Sequence, residues 1–64
     1  MTIKHKHNGK ETLLPAYRVE YDERASVLLA FDSAGAQLHS YTGGTAYVTN
    51  DAGQTVGIYN LNKK

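Results

Sequence analysis

The sequence predicts an all-β fold: an antiparallel meander of about six to seven short strands, in a single twisted sheet or a small barrel, with little or no helix. Turn dipeptides such as Asn8-Gly9 and Gly43-Gly44 divide the chain into short segments. Apolar and polar residues alternate with period two between several of these turns. No window keeps a helical period long enough for three turns, so the strand interpretation covers the whole chain.

The first element is a hairpin formed by residues 2–7 and 10–14. Asn8-Gly9 lies between these two extended runs. Both residues tolerate the positive φ angles of a two-residue turn, which makes this dipeptide a strong hairpin signal. We therefore expect one domain over residues 1–64, with an N-terminal hairpin at 1–14 and a meander at 15–64.

The third strand follows Pro15, which lacks a backbone donor and ends the second strand. Tyr17, Val19 and Tyr21 then alternate with charged residues, a pattern typical of a half-buried strand. The two tyrosines share a face with Val19, and we expect both in the core.

The fourth strand is predicted to be central, because residues 25–31 are mainly apolar on both faces. Turns that contain Asp, Asn and Gly separate the strands that follow the fourth strand. These are a turn at 32–35, a strand at 36–41, the Gly43-Gly44 turn, a strand at 45–49, a turn at 50–53, and a last strand at 54–61 before Lys63 and Lys64.

Two strands carry apolar side chains on both faces, so both faces of the sheet need cover. In the last strand, Val56 and Ile58 lie on one face while Tyr59 and Leu61 lie on the other. No amphipathic helix is available to supply the cover. A small closed barrel and two copies packed face to face both satisfy this demand. We favour the homodimer, because a 64-residue chain without cysteine is marginal as a lone domain.

Composition narrows the function classes. A net charge of +1 argues against non-specific binding to nucleic acid. The longest apolar run, residues 27–31, is far shorter than the roughly 20 residues of a membrane span, so we expect a soluble cytoplasmic protein. The first strand carries Lys4 and Lys6 and resembles an edge protected from further pairing.

From Tyr21 onward the sequence resembles the small uncharacterised bacterial proteins called YuzE-like, a domain of unknown function. The Tyr21-Asp22 pair leading into an apolar strand is similar to the family's opening, and Val56-Gly57-Ile58 is similar to its closing hairpin. The resemblance spans residues 21–62. It departs at Tyr59, where the family tends to have an acidic residue, and in the extra hairpin before Tyr21.

This resemblance implies a compact β fold without known catalytic residues. For some members it also implies a gene neighbourhood typical of the antitoxin half of a toxin–antitoxin pair.

Three histidines are the only candidates for a metal site. His5 and His7 are two residues apart, so on a strand they project from one face about 7 Å apart, and His39 is a third imidazole. Lys4 and Lys6 add positive charge beside them. Surface histidines are the preferred interpretation, and we expect no metal and no cofactor.

Catalytic signals are weak. Ser26, Ser33 and Ser40 have no surrounding nucleophile motif. Asp22 and Glu23 are neighbours, and successive strand residues point to opposite faces, so we interpret them as turn residues. The sequence therefore predicts that the protein is not an enzyme.

The tyrosines are the best candidates for a binding surface, because tyrosine is enriched at interfaces. If Tyr41, Tyr47 and Tyr59 cluster, they form a partner-binding surface. A cross-strand ladder that stabilises the sheet is the alternative interpretation.

The preferred hypothesis is a small bacterial protein-interaction module that self-associates as a homodimer, with a further protein partner left open and no membrane contact. A nucleic-acid-binding or antitoxin-like regulator is the first alternative, in which the same tyrosines act with Arg18, Lys63 and Lys64. A small-ligand or metal-binding protein is the second.

Overall fold

The computed structural model describes residues 1–62, and Lys63 and Lys64 lie outside the described residues. Seven strands and no helix occupy this part of the chain, which confirms the all-β prediction. All strand pairs are antiparallel. The strands are β1 (Thr2–His7), β2 (Lys10–Pro15), β3 (Arg18–Asp22), β4 (Val27–Phe31), β5 (Gln37–Thr42), β6 (Thr45–Thr49) and β7 (Thr55–Asn60).

The strands form two sheets, where the sequence analysis expected one twisted sheet or a barrel. The four-stranded sheet has the order β2-β1-β6-β7, the three-stranded sheet has the order β3-β4-β5, and within residues 1–62 no closed barrel forms. The meander is interrupted where β1 pairs with β6, far along the chain. Because β1 lies between two strands, the interpretation of the strand bearing Lys4 and Lys6 as a sheet edge was wrong.

The inner faces of the two sheets share one hydrophobic core. Ile3 on β1 and Val48 on β6 are opposite each other in the four-stranded sheet, and Leu28 lies at the centre of the three-stranded sheet. All three are fully buried. The buried apolar residues of both sheets form a single cluster: Ile3, Ala16, Leu28, Ala30, Tyr41, Ala46, Val48 and Leu61. Each sheet therefore covers one face of the other, an arrangement that needs neither a barrel nor a second copy for the core.

The β1–β2 hairpin forms as predicted. Asn8 and Gly9 have φ angles of 53° and 76°, as a two-residue turn with two left-handed positions requires. His7 and Lys10 are directly opposite each other and close the hairpin.

The later turns are held by short polar side chains. Asp22 was predicted to be a turn residue, and the structure makes it the last residue of β3. Its carboxylate accepts the backbone N–H groups of Arg24 and Ala25 in the turn at 3.1 and 3.2 Å. The Asp32 carboxylate and the Asn50 side-chain oxygen accept backbone N–H groups in the same way, in the β4–β5 turn and the β6–β7 turn. These bonds satisfy backbone donors that no strand partner reaches.

Gly44 sits where two chain segments approach closely. Its φ is +70°, and a Cβ there would lie 2.0 Å from the backbone oxygen of Lys6. The Gly44 carbonyl accepts the Leu61 N–H at 2.9 Å, and the Leu61 carbonyl accepts the Gly43 N–H at 3.0 Å. The Gly43-Gly44 turn therefore holds Leu61, directly after β7, beside the start of β6.

The prediction that Tyr17 and Tyr21 are core residues was wrong. Tyr17 precedes β3 and is 67% exposed, because it lies in the connection from β2. Tyr21 does share a face with Val19, as the alternation indicated, but β3 is an edge strand. Its ring therefore lies at the rim of the core, where it contacts Tyr59 with a centroid separation of 5.0 Å.

Candidate interaction surface

The structure separates the three tyrosines that the sequence analysis proposed as a binding surface. Tyr41 is buried on β5, and this burial raises the pKa of its phenol. Tyr59 is half-buried on the inner face of β7, where its ring lies over Gly57 and against Tyr21. Tyr47 is half-buried on β6, in the row that pairs with Lys4 and Ile58. The three side chains do not form one cluster.

His5, His7 and His39 lie near one end of the core. The His5 and His7 rings stack with their centroids 5.9 Å apart, which agrees with the prediction that they project from one face. His5 Nε2 donates to the Gly43 carbonyl at 2.8 Å. The His5 and His39 rings both contact Tyr41, with centroid separations of 4.8 and 4.5 Å. Among the described residues, no group of three or more His, Cys, Asp or Glu side chains is arranged to hold a metal ion.

The largest exposed apolar side chains of the four-stranded sheet lie on its outer face. Leu13, Lys4, Tyr47 and Ile58 form one row across β2, β1, β6 and β7, because each is directly opposite the next in the strand register. Leu13 is 65% exposed, Ile58 is 64% exposed, and Val56 near the start of β7 is 59% exposed. We call Leu13, Tyr47, Val56 and Ile58 the outer-face patch.

Two lysines share one carboxylate on this face. Lys4 Nζ and Lys6 Nζ lie 3.6 and 3.8 Å from the two carboxylate oxygens of Glu11. Lys6 Nζ also lies 5.7 Å from the centre of the Tyr47 ring. All three charged groups are substantially exposed, so these contacts contribute little to stability. One carboxylate therefore offsets only part of the positive charge of the two lysines beside the outer-face patch.

The apolar character of both faces of β7 is visible in the sequence, but which of its residues stay exposed is not. Val56 and Ile58 were expected to need cover, and Leu13 was not singled out. One feature of the sequence could have indicated this exposed surface: Thr55–Asn60 contains no charged residue. Apolar, β-branched side chains in an uncharged strand indicate either a central strand or an edge that pairs with another chain.

The three-stranded sheet presents a different surface. The outer residues of β4 are half-buried, and Phe31 is partly covered by Arg18, whose guanidinium carbon lies 4.3 Å from the ring centre. An open concavity of about 520 Å³ lies beside the turn after β3 and is lined mainly by charged side chains. It contains Asp22, whose carboxylate is already occupied by backbone N–H groups.

Comparisons with known proteins return no relative: no family model, no curated protein and no solved structure matches this chain. The resemblance to the YuzE-like family therefore stays a prediction. Within residues 1–62, no helix has the length and apolar character to cross a bilayer.

Proposed function

We propose that this protein is a non-enzymatic interaction module that self-associates through the four-stranded sheet. The observation that carries the proposal is the outer-face patch, which joins Val56 and Ile58 on β7 to Tyr47 and Leu13 across the sheet. Grouped apolar side chains on a sheet face mark interaction surfaces more reliably than single exposed ones.

The energetic argument concerns Val56 and Ile58. Each is about 60% exposed, and covering the remaining apolar area of one such side chain is worth about 1–2 kcal/mol. Two copies supply four such side chains, while association costs several kcal/mol of translational and rotational freedom. The expected outcome is reversible association that responds to concentration.

The nucleic-acid-binding or antitoxin-like regulator is the second candidate function. The observation in its favour is that Lys4, Lys6 and Tyr47 lie close together on one sheet face, where a base can stack and phosphates can meet lysines. Glu11 opposes it, because one carboxylate lies within 4 Å of both lysines. This candidate predicts retention on single-stranded nucleic acid that falls steeply as salt rises.

Thermal unfolding at several protein concentrations tests the proposed function. A melting temperature that rises with concentration is expected, because self-association stabilises the folded chain by mass action. Ile58→Thr keeps a β-branched residue but removes apolar area, so it should flatten this dependence. Leu38→Thr is the matched control, because Leu38 is an exposed aliphatic residue on the other sheet. A melting temperature that is independent of concentration in all three proteins contradicts the proposal.

A further inference from the structure

We infer that the partner of this chain is a second copy that pairs edge to edge with β7, so that two four-stranded sheets become one continuous eight-stranded antiparallel sheet. This inference rests on the proposed function and specifies its geometry: of the outer-face patch, the contact uses Val56 and Ile58 on β7, with the backbone of the β7 edge, and leaves Leu13 and Tyr47 outside it. It differs from the face-to-face packing considered from the sequence.

The four edge strands of the described chain are not equivalent. β2 carries Lys10, Glu11 and Pro15, and β3 carries three charged residues among five. β5 exposes mostly polar side chains, and its pairing with β4 is irregular between Ala30 and Phe31. Charge, proline and irregular pairing are the usual protections of a sheet edge. β7 has neither charge nor proline, and it exposes two β-branched apolar side chains.

The hydrogen-bond pattern shows which backbone groups of β7 face outward. Leu61 uses both its N–H and its carbonyl towards Gly43 and Gly44, on the β6 side. In an antiparallel pair, successive residues alternate between facing the partner strand and facing away. Tyr59 therefore faces β6, whereas Ile58 and Asn60 direct their N–H and carbonyl groups to the free edge.

The opposite edge confirms this alternation independently. His7 and Lys10 flank the two-residue hairpin turn and exchange hydrogen bonds, so Leu13 on β2 faces away from β1. Lys4, opposite Leu13, therefore faces β6, and Tyr47, opposite Lys4, faces β1. Ile58 is opposite Tyr47, so its backbone N–H and carbonyl again point away from β6. Ile58 and Leu13 are thus equivalent positions on the two edges of one sheet.

A second copy fits the β7 edge better than any other edge of the chain. Two antiparallel β7 strands related by a two-fold axis at Ile58 place uncharged residues opposite uncharged residues, with Gly57 opposite the partner's Tyr59. The register shift of β7 is confined to its start, between Val48 and Thr49 on the β6 side, so residues 57–60 remain regular. Pairing at a two-fold axis closes the assembly, and the charges and Pro15 on β2 oppose further growth.

Proline substitutions at the two equivalent edge positions test the inference. Ile58→Pro removes an N–H that bonds to nothing within the protomer, so the fold is kept while edge pairing loses a central donor. Leu13→Pro makes the same change on the opposite edge at nearly the same exposure. We expect at least a tenfold weaker dimer for Ile58→Pro and an unchanged dimer for Leu13→Pro, measured by sedimentation of the full chain. Equal effects of the two substitutions overturn the inference.

Nitroxide labels provide a second test that does not depend on proline tolerance. The chain has no cysteine, so Ile58→Cys or Leu13→Cys introduces the only thiol. In the edge-to-edge dimer the two labels at position 58 lie close enough for strong dipolar broadening. Backbone positions 13 of the two copies lie roughly 34 Å apart, which is three strand spacings on each side of the dyad plus the spacing across it.

The label distances separate failure of the inference from failure of the proposed function. A self-associated protein in which labels at position 13 are as close as those at position 58 overturns the β7 edge and leaves self-association standing. If the protein stays monomeric and the labels show no dipolar interaction at either position, both the β7 pairing and the proposed self-association are overturned. Broadening at position 58 together with a long distance at position 13 supports the edge-to-edge dimer.

Discussion

At the scale of single residues, Gly44 is the position where the backbone itself demands glycine. A Cβ at Gly44 would lie 2.0 Å from a backbone oxygen, and backbone atoms cannot yield as a flexible side chain can. Gly44→Ala should therefore lower the free energy of unfolding by about 2 kcal/mol or more, measured by urea denaturation.

Gly35→Ala is the matched control for this substitution. Gly35 has a similar φ of +84°, but no atom lies within 4 Å of the Cβ position. Only the left-handed backbone penalty applies there, so we expect a loss of about 1 kcal/mol. Equal losses at the two glycines would show that the close approach to β1 does not exist.

Tyr41 gives a prediction about alkaline pH. Burial raises the pKa of its phenol, so the unfolded chain ionises at lower pH than the folded one. The contribution of Tyr41 to the free energy of unfolding is therefore fully present below the phenol's unfolded-state pKa of about 10. It is lost as the pH rises above that value. Tyr41→Phe should reduce the fall in melting temperature between pH 9 and pH 11. Tyr17→Phe, at an exposed position, should give the same dependence of melting temperature on pH as the wild type. If Tyr41→Phe also leaves this dependence unchanged, the buried Tyr41 phenol is not its cause.

Residue roles were only partly predictable from the sequence. The turn that begins after Asp22 and the Asn8-Gly9 turn follow from local chemistry, and local chemistry is visible in the sequence. The exposure of Tyr21 depends on β3 being an edge strand. The burial of Tyr41 likewise depends on which sheet lies opposite β5, and neither fact is encoded locally.

At the scale of elements, β7 predicts an alternating pattern of amide hydrogen exchange. In dilute monomer the Tyr59 amide faces β6 and should exchange slowly, whereas the amides of Ile58 and Asn60 face the free edge and should exchange fast. Raising the protein concentration should slow exchange at Ile58 and Asn60 selectively. Uniform exchange along β7, or protection that ignores concentration, would contradict the edge assignment.

Strand positions were predictable from the sequence, but one pairing was not. Proline, Asn-Gly and Asp-rich turns mark the strand ends, and all seven predicted segments match β1 to β7 within two residues at each end. The β1–β6 pairing joins residues about forty positions apart along the chain, such as Lys4 and Tyr47. Period-two alternation shows which residues share a face of a strand but not which strands are its neighbours. For this reason β1 was predicted to be an edge strand, whereas it is an interior strand.

At the scale of the whole molecule, two sheets cover each other's apolar faces. Apolar residues on both faces of β4 and β7 predicted that both sides need cover, and a barrel or a second copy was expected to supply it. The shared core of Ile3, Leu28 and Val48 satisfies the inner faces within one chain. What remains for a partner is the outer-face patch and the edge beside it.

The shared core predicts unequal effects of two neighbouring leucines. Leu28 is fully buried between the sheets, whereas Leu29 is half-buried on the outer face of the same strand. Leu28→Ala should cost about 2–5 kcal/mol of unfolding free energy, enough to unfold much of a chain this small, while Leu29→Ala should cost clearly less. Denaturant midpoints of the two variants provide the comparison. A larger loss at Leu29 would mean that the two sheets do not pack as described.

The solution mass of the unmodified chain, followed by light scattering across a hundredfold dilution, tests the central claim most directly. Self-association predicts a mass that falls on dilution from twice 7.0 kDa towards 7.0 kDa. A mass of 7.0 kDa at every concentration would contradict the account, because the β7 edge and the outer-face patch would then pair with no second copy.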